Sequence, residues 1–286
     1  MKALVDGDIL VYRCGFSVEK SLYLLIEDGL EQEFKNKTLL NEYIDLVGLE
    51  ETQYEIKQVQ SIEPISHAYK NIREILKSIE EATGCDSMTI YLTGKGNFRD
   101  EVATLKPYKG NRDNVKKPEY YEALRQYLIK QYGAVVIEGQ EADDAMGIDQ
   151  HWDFDNPFEE RLNTIICSID KDMHMIPGWH YNFVKGLKFF VDEDTADLWF
   201  WCQMIMGDTT DNIGGVPKLG KKAAYNLLKD IEPNERYPTV LQAYKDSYGY
   251  NLGDEFKGIE AMLENARLLW IRRQPDEMWE PPVCTG

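Results

Sequence analysis

The chain has 286 residues, 43% of them hydrophobic and 12% aromatic, which suffices for one large or two small globular domains and excludes global disorder. Its five cysteines are scattered without a C-x-x-C pair, which argues against a zinc site or a disulfide framework and is typical of a reducing compartment. The net charge of −18 disfavours binding to nucleic acid unless basic residues are concentrated locally. The acids in the N-terminal run MKALVDGDILVY are unlike a signal peptide, and no segment reaches transmembrane length, so we expect a cytoplasmic protein.

The first predicted element is a short buried strand at Lys2–Val5, which leads into Asp6 and Asp8. The next region is predicted to form a hairpin, a strand and a helix, at Leu22–Ile26 with the turn Glu27–Gly29, at Gln53–Ser61 and at Ile65–Ala82. No residue pattern between 18 and 60 indicates chemistry. We interpret that stretch as scaffold or as an insertion.

A basic segment follows the predicted strand Met88–Leu92. Between residues 99 and 130 the chain has eight basic and five acidic residues, a local excess of three positive charges. Basic residues interleaved with Tyr108, Tyr120 and Tyr121 suit single-stranded nucleic acid, which binds through charge and stacking; the alternative is an ordinary solvated helix. The middle, 106–117, contains proline and glycine and is expected to be mobile, with a helix beginning near Pro118.

Acidic residues follow each of the next two predicted strands. Ala134–Ile137 leads to the sequence EADD, where a helix beginning near Glu141 would place Glu141 and Asp144 on one face. Asn163–Ile169 is a core strand that ends in an acid pair, Asp170 and Asp172. Strands that alternate with helices predict a parallel sheet.

The segment 206–222, MGDTTDNIGGVPKLGKK, follows a predicted helix at Thr195–Met206 and joins an acid pair to a basic glycine-rich turn. Asp208 and Asp211 are three residues apart, so that on a helical turn both carboxylates would face the same way. The glycines and lysines after them suit phosphate. Helices are predicted at 240–248 and 255–269, with an irregular tail from 272 to 286, and the four histidines form no constellation.

These acidic clusters all follow an apolar segment at the end of a strand or helix. Their recurrence predicts that they converge on one edge of one sheet. So many carboxylates can share a site only when protons or cations neutralise them, and oxygen ligands favour Mg²⁺ or Mn²⁺. Two such ions can activate water and stabilise the attacking and leaving oxygens of a phosphodiester, which predicts a metal-dependent nuclease.

The motifs VDGD, YKGNR, EADD, SIDKD and MGDTTDNIGGV-x-x-LG-x-K, in this order, resemble the bacteriophage 5′–3′ exonuclease and flap endonuclease family, which is related to the 5′-nuclease domain of bacterial DNA polymerase I. The resemblance spans about residues 2–226. It implies an α/β fold with a PIN-like parallel central sheet flanked by helices, a helix–three-turn–helix element at 210–228 and a helical C-terminal region. The implied domains are a nuclease domain at 1–206, with an arch or gateway at 98–130, and a DNA-binding and C-terminal region at 207–286.

The resemblance also implies roles for individual residues. Asp6, Glu141, Asp143 and Asp144 would hold a first metal ion, and Asp170, Asp172, Asp208 and Asp211 a second. Lys109 and Arg112 would be catalytic, contacting the scissile phosphate. DNA would be bound by Tyr108, Lys116, Lys117, Gly215, Val216, Lys218, Gly220, Lys221 and Lys222, the glycine-rich backbone holding duplex phosphates with a potassium ion.

The chain departs from the family at two positions. After the Met88–Leu92 strand, where the family usually has another metal-site aspartate, this chain reads Leu92-Thr93-Gly94-Lys95, so we expect a more weakly held first ion or assistance from Asp8 through water. Lys218 replaces a glycine of the hairpin. The implied activity is Mg²⁺-dependent hydrolysis of DNA with 5′ ends or flaps, and of RNA primers, by a monomer in the cytoplasm, that of the host for a phage protein. Alternatives are a PIN-type ribonuclease and a non-catalytic, structure-specific DNA-binding protein.

Overall fold

The computed structural model describes residues 1–112, 115–154, 163–252 and 255–282. The first half contains, in chain order, β1 (Lys2–Asp6), α1 (Gly7–Phe16), β2 (Glu19–Glu27), β3 (Leu30–Phe34), α2 (Lys37–Val47), β4 (Glu55–Ile62), α3 (Ile65–Thr83), β5 (Ser87–Thr93), α4 (Phe98–Val102), α5 (Tyr121–Tyr132) and β6 (Val135–Ile137). The second half contains α6 (Ala142–Phe154), β7 (Thr164–Cys167), a 3-10 turn (Asp172–Met175), β8 (Gly178–Asn182), β9 (Leu187–Val191), α7 (Glu193–Met206), β10 (Gly207–Asp208), β11 (Ile213–Gly214), α8 (Lys221–Leu228), α9 (Pro233–Leu252) and α10 (Glu255–Leu269).

The described residues form a mixed α/β fold around a six-stranded sheet in the order β6-β5-β1-β7-β8-β9. Neighbouring strands from β6 to β8 pair in parallel, and β9 pairs antiparallel with β8 at the edge. The central strands are apolar along their length, as expected when helices cover both faces of a sheet: every residue of β7, TIIC, is buried. The predicted central parallel sheet with flanking helices and a helical C-terminal region is confirmed, whereas the β8–β9 hairpin was not predicted.

The chain divides into two compact units. The first unit comprises residues 1–9, 75–116 and 128–286, and the second comprises 10–74 and 117–127. Residues 207–286 share the first unit with the sheet because Ile213 and Val216 are buried in the same apolar cluster as Leu4 and Ile166. The predicted domains at 1–206 and 207–286 stay a prediction.

The second unit contains a three-stranded antiparallel sheet, β3-β2-β4, and the helix α2. Asp28 and Gly29 both have positive φ, as the tight turn of the predicted β2–β3 hairpin requires. Asn36 caps α2 by accepting a hydrogen bond from the Leu39 amide at 2.9 Å, and Gly48 ends the helix with φ of 73°. The stretch interpreted as scaffold is thus a folded element with its own small core of Leu25, Phe34 and Leu40.

Cys14, Cys85, Cys167 and Cys202 are free and buried, while Cys284 lies outside the described residues. No helix or strand follows Leu269 among the residues described up to 282, as predicted for the tail, whose last four residues are outside that range. Among the described helices, none is both long and apolar enough to cross a bilayer.

Candidate active site

Asp6 ends β1, at the carboxyl edge of the parallel sheet, where ligands bind in folds of this class. Its carboxylate accepts hydrogen bonds from the Ile9 amide at 3.0 Å and from the Ser168 hydroxyl at 2.8 Å. Burial, together with the nearby charges of Asp8 and Asp170, raises the pKa of Asp6 to about 7. The Asp6 side chain therefore lies among other acids, and nearby positive charge is too small to offset their mutual repulsion.

Asp143 belongs to the same cluster. Burial raises its pKa well above the ordinary value, and the charges of Asp6, Asp170 and Glu141 raise it further, against the opposing effect of Lys109. Residues from the ends of β1 and β7 and from the beginning of α6 thus interact electrostatically. The predicted convergence of these acids on one sheet edge agrees with this placement.

Asp172, Asp208 and Asp211 lie next to Asp170 and extend the acidic cluster. Burial and the charges of Asp170, Asp208 and Asp211 raise the pKa of Asp172 to about 8. Asp172 also accepts a hydrogen bond from the amide nitrogen of Gln203. Asp170 contributes to the pKa shifts of both Asp143 and Asp172, so it connects the two groups of acids.

Asp208 and Asp211 lie on a tight hairpin and not on a helical turn, which corrects the sequence-based expectation. The helix α7 ends at Met206, and Gly207 adopts a positive φ of 69° at the start of β10. Asp208 Oδ1 accepts the Thr210 amide at 2.7 Å, a local bond that stabilises a turn in place of a helix. Burial raises the pKa of Asp211, while Lys109 and Arg112 oppose the shift.

The acids are neighbours but do not form a ready-made ligand shell. Within the described ranges, no three His, Cys, Asp or Glu side chains are arranged so that they could hold a metal ion. Instead, two basic side chains neutralise part of the cluster. Lys109 Nζ pairs with Glu141 and lies 3.8 Å from Asp211 Oδ2, and Arg112 Nη2 lies 2.6 Å from Asp211 Oδ1.

The basic segment from Pro107 to Arg112 is hydrogen-bonded to the 209–212 turn, and the mobility predicted for 106–117 stays a prediction. The Lys109 amide donates to the Asp211 carbonyl at 3.0 Å, and Asn111 Nδ2 donates to the Thr209 carbonyl at 2.7 Å. These bonds were invisible in the sequence because their partners lie about a hundred residues apart. Residues 113 and 114, within the same predicted mobile stretch, lie outside the described residues.

Tyr108, predicted to stack on nucleic acid, is instead bound within the site. Its hydroxyl donates to Asp211 Oδ2 at 2.9 Å and lies 3.2 Å from both carboxylate oxygens of Glu141. Outside the cluster, Lys116 is exposed, and Lys117 Nζ lies 4.4 Å from the centre of the Tyr121 ring. The roles of these lysines in binding DNA stay predictions.

Asp144 is paired with a buried arginine, and its assignment to the first metal ion stays a prediction. Its side chain is fully buried, and both oxygens pair with the guanidinium of Arg99 at 2.6 and 2.9 Å. Because α6 begins with Ala142, Glu141 lies before the helix and not on a helical face shared with Asp144. Arg99 was not predicted from the sequence, since nothing in its neighbourhood indicates a partner 45 positions away.

Thr93, the last residue of β5, makes hydrogen bonds to the beginning of α6 and to Asp8. Its hydroxyl accepts the Ala142 amide at 3.0 Å, at the first residue of α6, and its amide donates to Asp8 Oδ2 at 2.9 Å. The Thr93 hydroxyl therefore caps the beginning of α6. Ser168, which orients Asp6, and Gln203, which contacts Asp172, were also missed, because uncharged polar side chains have no distinctive spacing.

The glycine-rich turn is only partly available to a ligand. A Cβ at Gly215 would lie 2.3 Å from both the Gly207 nitrogen and the Ile205 carbonyl oxygen, and the Val216 amide donates to Ile205 at 2.8 Å. These two predicted phosphate contacts are therefore used in packing against α7. Gly220, by contrast, precedes α8 with open space around it, and the exposed Lys221 and Lys222 occupy the first turn of that helix.

The fold and site together define an α/β protein with an acidic sheet edge neutralised in part by lysine and arginine. In comparisons with known proteins, the chain matches no family profile. It is 30% identical over 197 residues to an exodeoxyribonuclease of Enterobacteria phage T3 and 29% identical over 194 residues to an exonuclease of Escherichia phage T7. Each match covers 66% of this chain and 57% of the relative, so the chain spans little more than half the length of these relatives.

A flap endonuclease of Escherichia phage T5 is 24% identical over 207 residues, which cover 62% of this chain and 66% of that protein. Among solved structures, a phage T5 protein co-crystallised with metal ions has a TM-score of 0.53 and 16% identity over 94% of this chain and 88% of its own. The T5 5′-exonuclease with bound zinc has a TM-score of 0.52 and 17% identity over 94% and 89%. The chain is thus similar in sequence to phage exonucleases and to a phage flap endonuclease, and it shares the fold of the T5 structures.

Proposed function

We propose that the chain is a divalent-metal-dependent 5′–3′ exonuclease and 5′-flap endonuclease that hydrolyses DNA phosphodiesters and leaves 5′-phosphate and 3′-hydroxyl ends. The observation that carries this proposal is the acidic cluster at the sheet edge, in which burial and mutual repulsion raise the pKa values of Asp6, Asp143 and Asp172, beside the cations of Lys109 and Arg112. The relatives, which are named as exonucleases and flap endonucleases, support it.

The donor set fits a hard divalent cation. The carboxylates provide only oxygen ligands, and their unrelieved repulsion would be offset by bound positive charge. The residues that would hold the ions are Asp6, Glu141, Asp143, Asp170, Asp172, Asp208 and Asp211. Mg²⁺, with Mn²⁺ as a substitute, would supply an acidified water molecule and neutralise charge on the phosphate. The solved T5 structures with bound metal ions support this part of the proposal.

Lys109 and Arg112 would be the residues that act on the phosphate. Both cations already lie at the acidic cluster, where they neutralise Glu141 and Asp211. The phosphate of a bound phosphodiester would compete with Glu141 and Asp211 for these two cations. Preorganised cations in such a position stabilise charge that develops in the transition state. Tyr108, bonded to the same two acids, orients them.

The duplex beyond the cleavage point would bind at the segment from Lys218 to Lys222, with a potassium ion at the hairpin. We extend the proposal to RNA–DNA hybrids and RNA primers during replication, to a monomeric state and to a cytoplasmic location. A PIN-type ribonuclease would share the acids without needing the lysine-rich turn. The alternative of a non-catalytic DNA-binding protein is favoured by the missing aspartate near Thr93. The Thr93 hydroxyl caps α6 and would not hold a metal ion as an acid does.

The test is a time course on 5′-flap DNA, blunt duplex DNA, an RNA–DNA hybrid and single-stranded RNA, with Mg²⁺ or with a chelator. We expect Mg²⁺-dependent products from 5′ ends, and loss of cleavage with retained DNA binding in Asp170→Asn and Asp211→Asn. Asp230→Asn, which changes an exposed acid on the surface, is the matched control and should cleave normally. Near-normal turnover by both cluster variants would contradict the proposal, as would cleavage of single-stranded RNA alone. DNA binding without any product would indicate the non-catalytic alternative.

A further inference from the structure

Arg99 is a buried cation in the first turn of α4, ahead of the basic segment that reaches the acidic cluster. Its side chain is 3% exposed, and its Nη1 and Nη2 atoms donate to Asp144 Oδ2 and Oδ1 at 2.6 and 2.9 Å. The same guanidinium donates from Nε to the Leu268 carbonyl at 2.8 Å and from Nη2 to the Trp270 carbonyl at 2.7 Å. Arg99 therefore joins α4, α6 and the end of α10 at one point.

The carboxylate of Asp144 is fully used by protein donors. Besides the two bonds from Arg99, Oδ2 accepts the Glu141 amide and Oδ1 accepts the Arg272 amide, each at 3.1 Å. A carboxylate offers about four lone-pair sites, and four donors are present. An ion could bind Asp144 only by displacing protein hydrogen bonds, and the residue is 0% exposed.

The bond to the Glu141 amide connects this ion pair to the acidic cluster. Glu141 and Asp143 flank the beginning of α6, and Lys109 Nζ pairs with Glu141 at the acidic cluster. The direction in which these two side chains project depends on where α6 begins. Asp144, on the buried side of the helix, fixes the beginning of α6 by accepting the hydrogen bond from the Glu141 amide.

The segment after α10 strengthens the same attachment. Arg272 places its guanidinium 3.8 Å from the centre of the Phe98 ring and donates to Gln140 Oε1 at 2.7 Å. Gln140 immediately precedes Glu141. The chain after Leu269 thus contacts both the residue before Arg99 and the residue before Glu141.

We propose that Arg99 and Asp144 are a positioning pair for the acidic cluster: they orient Glu141 and Asp143 for a divalent ion, and Asp144 acts through Arg99 and not as a metal ligand. This inference rests on the proposed function. Outer partners of metal ligands typically change metal affinity by 10- to 100-fold when they are replaced. Removal of one member of a buried pair also destabilises the fold because the other charge is left uncompensated.

The decisive variant is Arg99→Met, because the competing explanations predict opposite signs for it. If Asp144 were a ligand and Arg99 only a nearby charge, loss of that positive charge would leave cation affinity unchanged or increase it. If the pair positions the ligands, Arg99→Met, Asp144→Asn and the double variant should all weaken binding by a similar factor, about 10-fold or more. The double variant should be no weaker than the single ones, since all three lose the same interaction.

The measurement is Mn²⁺ binding, followed by electron paramagnetic resonance, at a temperature at which circular dichroism shows each variant to be folded. In the metal-free state, each single variant should lower the melting temperature by on the order of 10 °C, and the double variant by less than the sum of the two shifts. Should Arg99→Met not fold, Arg99→Lys, which keeps the charge but loses the planar fork, should still weaken Mn²⁺ binding.

Arg236→Met is the matched control. Arg236 is likewise 3% exposed and pairs with Asp194 at 2.6 Å and Asp197 at 2.8 Å, acids outside the cluster. It should lower the melting temperature and leave Mn²⁺ affinity unchanged. Unchanged or tighter Mn²⁺ binding by Arg99→Met or Arg99→Lys, with normal binding by the unmodified chain, would overturn the inference alone. Absence of Mn²⁺ binding by the unmodified chain would overturn the proposed function and the inference with it.

Discussion

Arg112 and Asp211 are 99 positions apart in the chain, yet Nη2 of Arg112 lies 2.6 Å from Oδ1 of Asp211. The Arg112 side chain is 39% exposed, whereas that of Asp211 is 17% exposed. The cation therefore reaches from solvent into the acidic cluster. This arrangement places a guanidinium beside the residues that would hold metal ions.

Arg112→Gln should reduce single-turnover cleavage of 5′-flap DNA by about 10²- to 10³-fold, since removal of one preorganised donor to a developing charge has an effect of that size. The melting temperature should change little, because a partly exposed ion pair contributes about 1 kcal/mol or less. Lys229→Gln, which removes a surface cation paired with Asp230, is the control and should cleave normally. An Arg112→Gln protein as fast as the unmodified chain would exclude a catalytic role for this residue.

The metal-free protein should become less stable as the pH rises. The pKa values of Asp6, about 7, and Asp172, about 8, are above their unfolded value near 4. Between pH 4 and 8 the folded state keeps protons that the unfolded state has released, so this contribution is complete near pH 4 and is lost as the pH passes 7 to 8. In chelator, the melting temperature should fall on the order of 5 °C or more from pH 5 to pH 8.

Two additions make the pH measurement specific to the cluster. Asp6→Asn should flatten the decrease, since the variant has one fewer carboxyl to ionise. Mg²⁺ should raise the melting temperature at pH 8 more than at pH 5, because bound cations favour the ionised acids. A melting temperature that rises from pH 5 to 8 in chelator, equally in both proteins, would contradict the raised pKa values.

Lys218→Gly should stabilise the protein. Lys218 has a positive φ of 69°, in the left-handed region that costs a side-chain-bearing residue about 1 to 2 kcal/mol, and glycine relieves the strain at some cost in unfolded-state entropy. We expect the melting temperature to rise by about 2 °C. The same variant removes a cation, so the salt dependence of duplex binding should decrease by about one unit of slope if Lys218 contacts phosphate.

Lys222→Gly is the comparison for that measurement. Lys222 lies in the first turn of α8, where glycine is disfavoured by up to about 1 kcal/mol, so its melting temperature should fall. Equal shifts in the two variants would show that the backbone conformation at Lys218 has no energetic consequence.

Gly215→Ala should destabilise the turn, whereas Gly220→Ala should be nearly neutral. A Cβ at Gly215 would lie 2.3 Å from backbone atoms of Ile205 and Gly207. A Cβ at Gly220 would have no heavy atom within 4 Å. Overpacking against backbone that cannot move is typically unfavourable by about 1 to 3 kcal/mol, a melting-temperature decrease of several degrees. Thermal unfolding of the two variants tests this, and a Gly215→Ala protein as stable as Gly220→Ala would refute the close approach of the two chain segments.

The sequence by itself determined the central sheet and the location of the acids. Strands that are buried on both faces are nearly continuous apolar runs, so β1, β5 and β7 were recognisable, and the acids that follow β1 and β7 had to lie at the carboxyl edge of a parallel sheet. Such patterns are local, and they are visible without knowledge of the rest of the fold.

Only the tertiary structure decided which acids face one another and which are occupied by protein partners. Asp144 and Asp143 are adjacent in sequence, yet one is paired with Arg99 in the core and the other faces the cluster. Likewise, the docking of Lys109 and Arg112 depends on a hairpin a hundred residues later. The physical reason is that an ion pair requires its two charged groups to be close in space. Periodicity in the sequence indicates which face of a helix or strand is buried, but it does not indicate which residues pack against that face.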